Sequence, residues 1–208
     1  MTMQSHSTLA IPKHLIYEMD EGKPIYYRGY EDVLKGKKHF EQVMSDSTIQ
    51  AWLKMKIGAY LLSLIAPSYD ITVGEQGISF SKGNWRGIDI AIFNFEDVVL
   101  DHHYSKKVPV VAIEIDTKSD FKDVEDMVIY YEKKIARLFE YGVERILWIF
   151  TGSQKIQLIE PTGKRHIFEW TEDVPVVEDV KLNIAEVFKK YRRELPPKPD
   201  IAVNGEGE

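Results

Sequence analysis

The sequence contains no cysteine, which removes disulfides, thiolate metal sites and cysteine nucleophiles together. It has no apolar run near the roughly 18 residues that a membrane-spanning helix needs, so no membrane partner is expected. The opening MTMQSHSTLAIPKH lacks a charged start, a long apolar stretch and a small-residue cleavage site. No secretion signal is read there, and a soluble cytoplasmic protein is expected. Positive charge is also scarce: 27 Lys and Arg against 33 Asp and Glu leave a net charge of −6. That balance argues against non-specific coating of nucleic acid, though not against a local basic groove. The basic clusters at Lys35, Lys37 and Lys38, at Lys106 and Lys107, and at Lys189, Lys190, Arg192 and Arg193 read first as solvated surface. No internal repeat, P-loop, G-x-S-x-G elbow or dinucleotide fingerprint is present. His102 and His103 sit in a polar stretch without the further ligands a zinc site requires.

What remains is enough for one core: 208 residues, 44% of them hydrophobic. One domain is expected over residues 14–195, with residues 1–13 and the Pro-, Gly- and acid-rich 196–208 expected to be disordered. LIYEMDEGKPIYYRG reads as a hairpin turning at Glu21 and Gly22. In SDSTIQAWLKMKIGAYLLSLIAP, capping residues precede Ile49, Trp52, Leu53, Ile57, Tyr60, Leu61 and Leu64 at helical spacing. YDITVGEQGISF reads as a strand or hairpin, residues 87–93 (GIDIAIF) as a second strand and residues 108–115 (VPVVAIEI) as a third. A helix over residues 123 to about 141 carries a stripe of Val124, Val128, Tyr131, Ile135, Leu138 and Phe139, with Gly142 placed as its cap. RILWIF is a fourth strand, KIQLIEP and RHIFEW a hairpin, and Ile184 to Leu195 a last amphipathic helix. The order helix, three strands, helix, strand predicts an α/β fold with a mixed sheet, the third and fourth strands running parallel. Tyr130, Tyr131, Trp148 and Trp170 are read as packing residues.

One stretch does not fit a simple core. Buried strands rarely tolerate charge, yet VAIEIDTKSD places Glu114, Asp116 and Lys118 at the end of an apolar strand. Period two puts Glu114 and Asp116 on one face with Val110 and Ala112. Asp89, between Ile88 and Ile90, repeats the pattern in the neighbouring predicted strand. Singly, each acid is explained as well by a solvated strand end or a turn. Together, two carboxylates in a dry place repel unless a cation lies between them, and Mg²⁺ or Mn²⁺ is the natural one. On the second helix Lys134 falls about 80° from the centre of the apolar stripe, at its edge. There its stem can pack while the ammonium stays wet, or the ammonium can reach the carboxylates.

In order, YEMDEGKPIYY, GIDIAIF, VPVVAIEI and KIARLFEYGVERILWIF resemble the Uma-type restriction-endonuclease family of the PD-(D/E)xK nuclease superfamily. That family was formerly a domain of unknown function common in cyanobacteria, and the likeness spans roughly residues 15–170. The resemblance implies a restriction-endonuclease-like core with an N-terminal hairpin, a following β-hairpin and a C-terminal helix. It implies Asp89 and Glu114 as metal ligands, the carbonyl of Ile115 as a third, and Lys134 as the functional lysine. Asp116 stands where the superfamily motif has lysine. A competing register takes Asp116 with Lys118 as the acid–lysine pair but pushes both past the strand end, so Glu114 with Lys134 is preferred. The histidine that many relatives carry near the start of the first long helix is absent or replaced by Gln50, and Glu75 is a candidate extra ligand or a turn residue. The implied function is Mg²⁺-dependent hydrolysis of phosphodiesters, with DNA as substrate and a homodimer suited to cutting two strands. The rival from another class is a catalytically inactive binding or oligomerisation module on the same fold. A hydrolase of some other phosphoester stays open.

Overall fold

The computed structural model describes residues 11–116 and 124–198, except for the side chains of 116 and 124–127. Lys118 and most of both expected disordered termini therefore lie outside the described residues. Lys13–Leu15 form a short 3-10 turn.

The first hairpin forms where expected, from β1 (Ile16–Asp20) and β2 (Lys23–Tyr26). Glu21 and Gly22 have φ of 49° and 77°, the sign pattern of a type I′ turn that matches strand twist. Two short helices, α1 (Tyr30–Leu34) and α2 (Phe40–Met44), occupy the polar connection between this hairpin and the first long helix.

The first long helix, α3 (Thr48–Leu62), starts from a reciprocal cap. Ser47 Oγ accepts from the Gln50 amide at 3.4 Å, and Gln50 Oε1 accepts from the Ser47 amide at 3.1 Å. Ser47→Ala is expected to lower the unfolding free energy by about 1 kcal/mol in urea titrations. A loss below a few tenths would mean that water replaces the cap. Leu53, Ile57 and Leu61 are fully buried, whereas Leu64, expected on the same stripe, lies past the helix end and is 46% exposed.

YDITVGEQGISF is one long strand and not a hairpin. β3 (Tyr69–Ser81) pairs with β4 (Asn84–Asn94) throughout and bulges where Gly74 and Glu75 take φ of 104° and 51°. A local break in register there imitates a turn in the sequence. Next comes β5 (Val111–Asp116), beginning three residues later than its apolar run suggested. After it come α4 (Val124–Glu140), β6 (Arg145–Phe150), β7 (Lys155–Ile159) and β8 (Arg165–Glu169). A small separate hairpin, β9 (Val174–Val177) with β10 (Val180–Leu182), went unread in the sequence. The last helix, α5 (Ile184–Lys190), stops short of Leu195, which still packs on the core. Val128, expected on the α4 stripe, is exposed.

Among the described residues, eight strands form one mixed sheet along the path β2-β1-β4-β5-β6-β7-β8, with β3 also on β4. β5 and β6 run parallel, joined by the α4 crossover, as expected. The central strands are apolar on both faces because both faces are covered. Val111, Ile113 and Ile115 face a core shared with α3, α5 and the β9–β10 hairpin. Ala112 faces the opposite core, with Ile135 and Leu138 of α4 and with Trp148. No described helix is long and apolar enough to cross a membrane. The sheet thus lies between helical layers, and the charged residues gather where β4 and β5 meet the start of α3 and the middle of α4.

Candidate functional site

The β4–β5 pairing ends with Ile90 against Ile113, and Asp89 and Glu114 are the next residues of their strands beyond that last pair. Both carboxylates are nearly sealed, at 6% and 5% exposure. This removes the reading in which Glu114 marks a solvated strand end, and the one in which Asp89 caps a turn.

Asp89 ties the strands to α3. Its Oδ2 accepts from the Ile115 amide at 2.8 Å, and its Oδ1 lies 2.7 Å from Lys54 Nζ. The same ammonium donates to Asp46 Oδ1 at 2.8 Å, so Lys54 bridges two acids. Burial pushes the Lys54 ammonium down, but Asp89 and Asp46 outweigh it and hold its pKa above the ordinary value. Gln50, already part of the helix cap, donates Nε2–H to the Ile115 carbonyl at 3.2 Å. The start of α3 is therefore fastened to the end of β5.

Glu114 faces α4. Its Oε1 is 3.1 Å from Lys134 Nζ, at an angle that leaves this oxygen without a hydrogen bond among the described residues. Lys134 is 1% exposed. Its ammonium is not wet, so the stripe-edge position ends in burial and not in snorkelling. It donates to the Gly87 carbonyl at 2.9 Å and sits 3.0 Å from Glu18 Oε1. The rings of Tyr17, Tyr130 and Trp148 surround it, with centroids 5.8–6.0 Å away. Desolvation raises the Glu114 carboxyl to about 8; Lys134 lowers it, and Asp89 and Glu18 raise it again. Burial alone would lower Lys134, yet Glu114 and Glu18 together hold it well above its ordinary value.

Glu18 was not among the residues singled out from the sequence. It is fully buried, accepts from the Gly87 amide at 3.2 Å and from the Tyr130 hydroxyl at 3.0 Å, and lies 3.6 Å from Arg86 Nε. Arg86 continues to Asp20 at 2.6 Å, and Arg137 of α4 reaches the same Asp20 oxygen at 3.1 Å. A signal for Glu18 existed: IYEMD, like GIDIAIF, holds an acid among apolar strand neighbours. Lys54 was equally legible, since it shares a helical face with Gly58 and Leu61, both buried.

Glu75 stands at the β3 bulge, which aims it over Gly87. The residue is exposed, but protein atoms around its carboxyl raise its pKa; Lys54 lowers it, and Asp89 and Asp46 raise it. His102 and His103 are exposed in the β4–β5 loop. The side chain of Asp116 and all of Lys118 lie outside the described residues, so the competing acid–lysine register is not placed.

The donors suit a hard divalent ion: two carboxylates and a main-chain carbonyl with one lone pair left beside Gln50. Glu114 Oε1 has no hydrogen bond among the described residues, which leaves its lone pairs open to an ion. Among the described residues no group of three or more acidic or histidine side chains forms a ready-made cage. Water would have to complete the shell, as Mg²⁺ commonly allows. On these grounds the residues fit the ion.

No family model matches the chain, and no curated protein sequence matches it. Among solved structures, it is similar to a candidate nuclease belonging to DUF820 from Anabaena variabilis ATCC 29413. The two share 16% identity over 83% of this chain and 89% of that one, with a TM-score of 0.60. The likeness is one of fold: a mixed α/β architecture with a large mixed sheet and few helices.

Proposed function

We propose that the chain is a metal-dependent endonuclease that hydrolyses phosphodiester bonds in DNA. The observation that carries this reading is the pair Asp89 and Glu114, both buried just beyond the last β4–β5 pair and near enough for Asp89 to raise the Glu114 carboxyl, in a fold similar to that of a candidate nuclease. In this reading Asp89, Glu114 and the carbonyl of Ile115 hold Mg²⁺ or Mn²⁺. The bound ion would lower the pKa of a water it holds and supply positive charge for the phosphoryl group. The chain's own residues do the rest. Lys134, itself held by Glu18 and the Gly87 carbonyl, positions the carboxylate of Glu114. Gln50 holds the β5 end that carries Ile115, and the Ile115 amide orients the carboxylate of Asp89. Two copies acting together would address two strands, which keeps a homodimer within the proposal.

One observation favours a second reading, a catalytically inactive binding or oligomerisation module. Lys54 and Lys134 already neutralise Asp89 and Glu114, and Gln50 already uses the Ile115 carbonyl. Cleavage separates the two. Supercoiled plasmid and a single-stranded RNA are incubated with the wild type, Asp89→Asn and Glu114→Gln in Mg²⁺ or Mn²⁺. Nicking by the wild type that both variants lose is the expected result. A wild type that leaves both substrates intact favours the inactive module.

A further inference from the structure

The two buried lysines of the site are not equivalent. Lys134 is enclosed by three rings, two carboxylates and a carbonyl, and has nowhere to go. Lys54 instead spans two acids of different character. Asp89 is buried, with 9% of its side chain exposed, whereas the side chain of Asp46 is 28% exposed at the approach to α3. The ammonium lies 2.7 Å from Asp89 Oδ1, on an oxygen that a cation bound to Asp89 would also use. The other oxygen is engaged by the Ile115 amide. An ammonium and a divalent ion on one carboxylate oxygen repel each other strongly. One must give way, and the lysine has a second acid 2.8 Å from its nitrogen to turn to.

We propose that Lys54 competes with the divalent ion for Asp89, and that Asp46 is the receiver that takes the ammonium when the ion binds. This rests on the reading above that Asp89 and Glu114 hold a metal. It adds two residues that set the ion's affinity without touching the ion. The buried Asp89 is neutralised by a side chain of the same polypeptide, so its burial does not depend on the ion. The ion affinity is correspondingly lowered and is tuned from the partly exposed Asp46.

The test is calorimetric titration of Mn²⁺ into the full chain, its folding checked by circular dichroism, as a double-mutant cycle. Lys54→Met is expected to tighten Mn²⁺ binding about ten-fold, and Asp46→Asn to weaken it about ten-fold, because the ammonium then has Asp89 alone. In the Lys54→Met background, Asp46→Asn should have no further effect. Lys54→Gln gives the same reading should Lys54→Met fail to fold. Weaker binding in folded Lys54 variants overturns the competition, as does an Asp46→Asn effect that persists without the lysine. Wild-type binding that Glu114→Gln abolishes and Lys54→Met leaves unchanged also overturns it, while the metal site stands. Absence of Mn²⁺ binding in every variant, Lys54→Met included, overturns both.

Discussion

Lys134→Met is expected to lower the unfolding free energy by about 3–5 kcal/mol at pH 8, as removal of one partner from a buried ion pair does. Methionine keeps the unbranched length and fills the space between Tyr17, Tyr130 and Trp148. What is lost is therefore chiefly the charge. Glu18 and Glu114 are then left sharing a solvent-free pocket with Arg86 beside Glu18 alone. The loss should shrink toward pH 5. The Glu114 carboxyl in the folded protein sits at about 8, above the ordinary 4.5 of the unfolded chain. Between those values the folded state holds a proton that the unfolded state has released. Stability from this group is full below about 4.5 and is lost as pH rises through about 8. Lys134 lowers that pKa, so the variant moves it further up and keeps Glu114 neutral over more of the range. Urea denaturation of both proteins at pH 5.5 and pH 8 reads the difference. An equal loss at both values would mean that Glu114 titrates outside the window.

The sequence foretold most of the sheet because its central strands obey a simple rule. Residues buried on both faces read as continuous apolar runs, as in GIDIAIF and RILWIF, and among its described side chains the α4 stripe is broken at Val128. The misreadings have local causes. Gly74 and Glu75 look like a turn because a bulge and a turn call for the same positive φ, and only pairing with β4 tells them apart. β9 and β10 are three and four residues long, with Pro175 inside β9, too short and too interrupted for alternation to register. The helices α1 and α2, five residues each, are below the length at which periodicity carries information.

The site divides in the same way. A charge set among apolar neighbours marked Asp89, Glu114 and Lys134, and the structure brings Glu114 and Lys134 into contact. Glu18 and Lys54 carried the same mark but were passed over, although Asp46, one partner of Lys54, is only eight positions away; the partners of Glu18 and Gln50 are remote in sequence. Glu18 meets Tyr130 across 112 positions, and Gln50 meets Ile115 across 65. No window of sequence holds both members of such a pair. The distribution of lysines was also beyond reach. That two ammonium groups are buried here, one per carboxylate, follows only from the two helices packing on opposite faces of the sheet.

Glu18→Ala is the second large effect expected, again about 3–5 kcal/mol, because Glu18 closes a buried network and not a surface pair. Its removal strands the Tyr130 hydroxyl and the Gly87 amide, and leaves Arg86 with Asp20 as its remaining acid. Glu18 also belongs to β1, which among the described residues pairs with β4 only through Met19 against Trp85. The hairpin is consequently held to the sheet more by the charges of Glu18 and Asp20 than by ladder hydrogen bonds. Hydrogen exchange should report this directly: the β1–β2 amides exchange faster in Glu18→Ala while those of β5 and β6 keep their protection. Lys134→Met combined with Glu18→Ala should cost less than the two separate losses added, with a coupling of about 1–3 kcal/mol for residues in one ion-pair network. Glu114 then has no neighbouring carboxylate on the α4 side to repel it. Strict additivity, with hairpin amides exchanging as in the wild type, would mean that Glu18 packs beside Lys134 without being energetically linked to it. The hairpin would then owe its docking to Arg86 and Arg137 on Asp20.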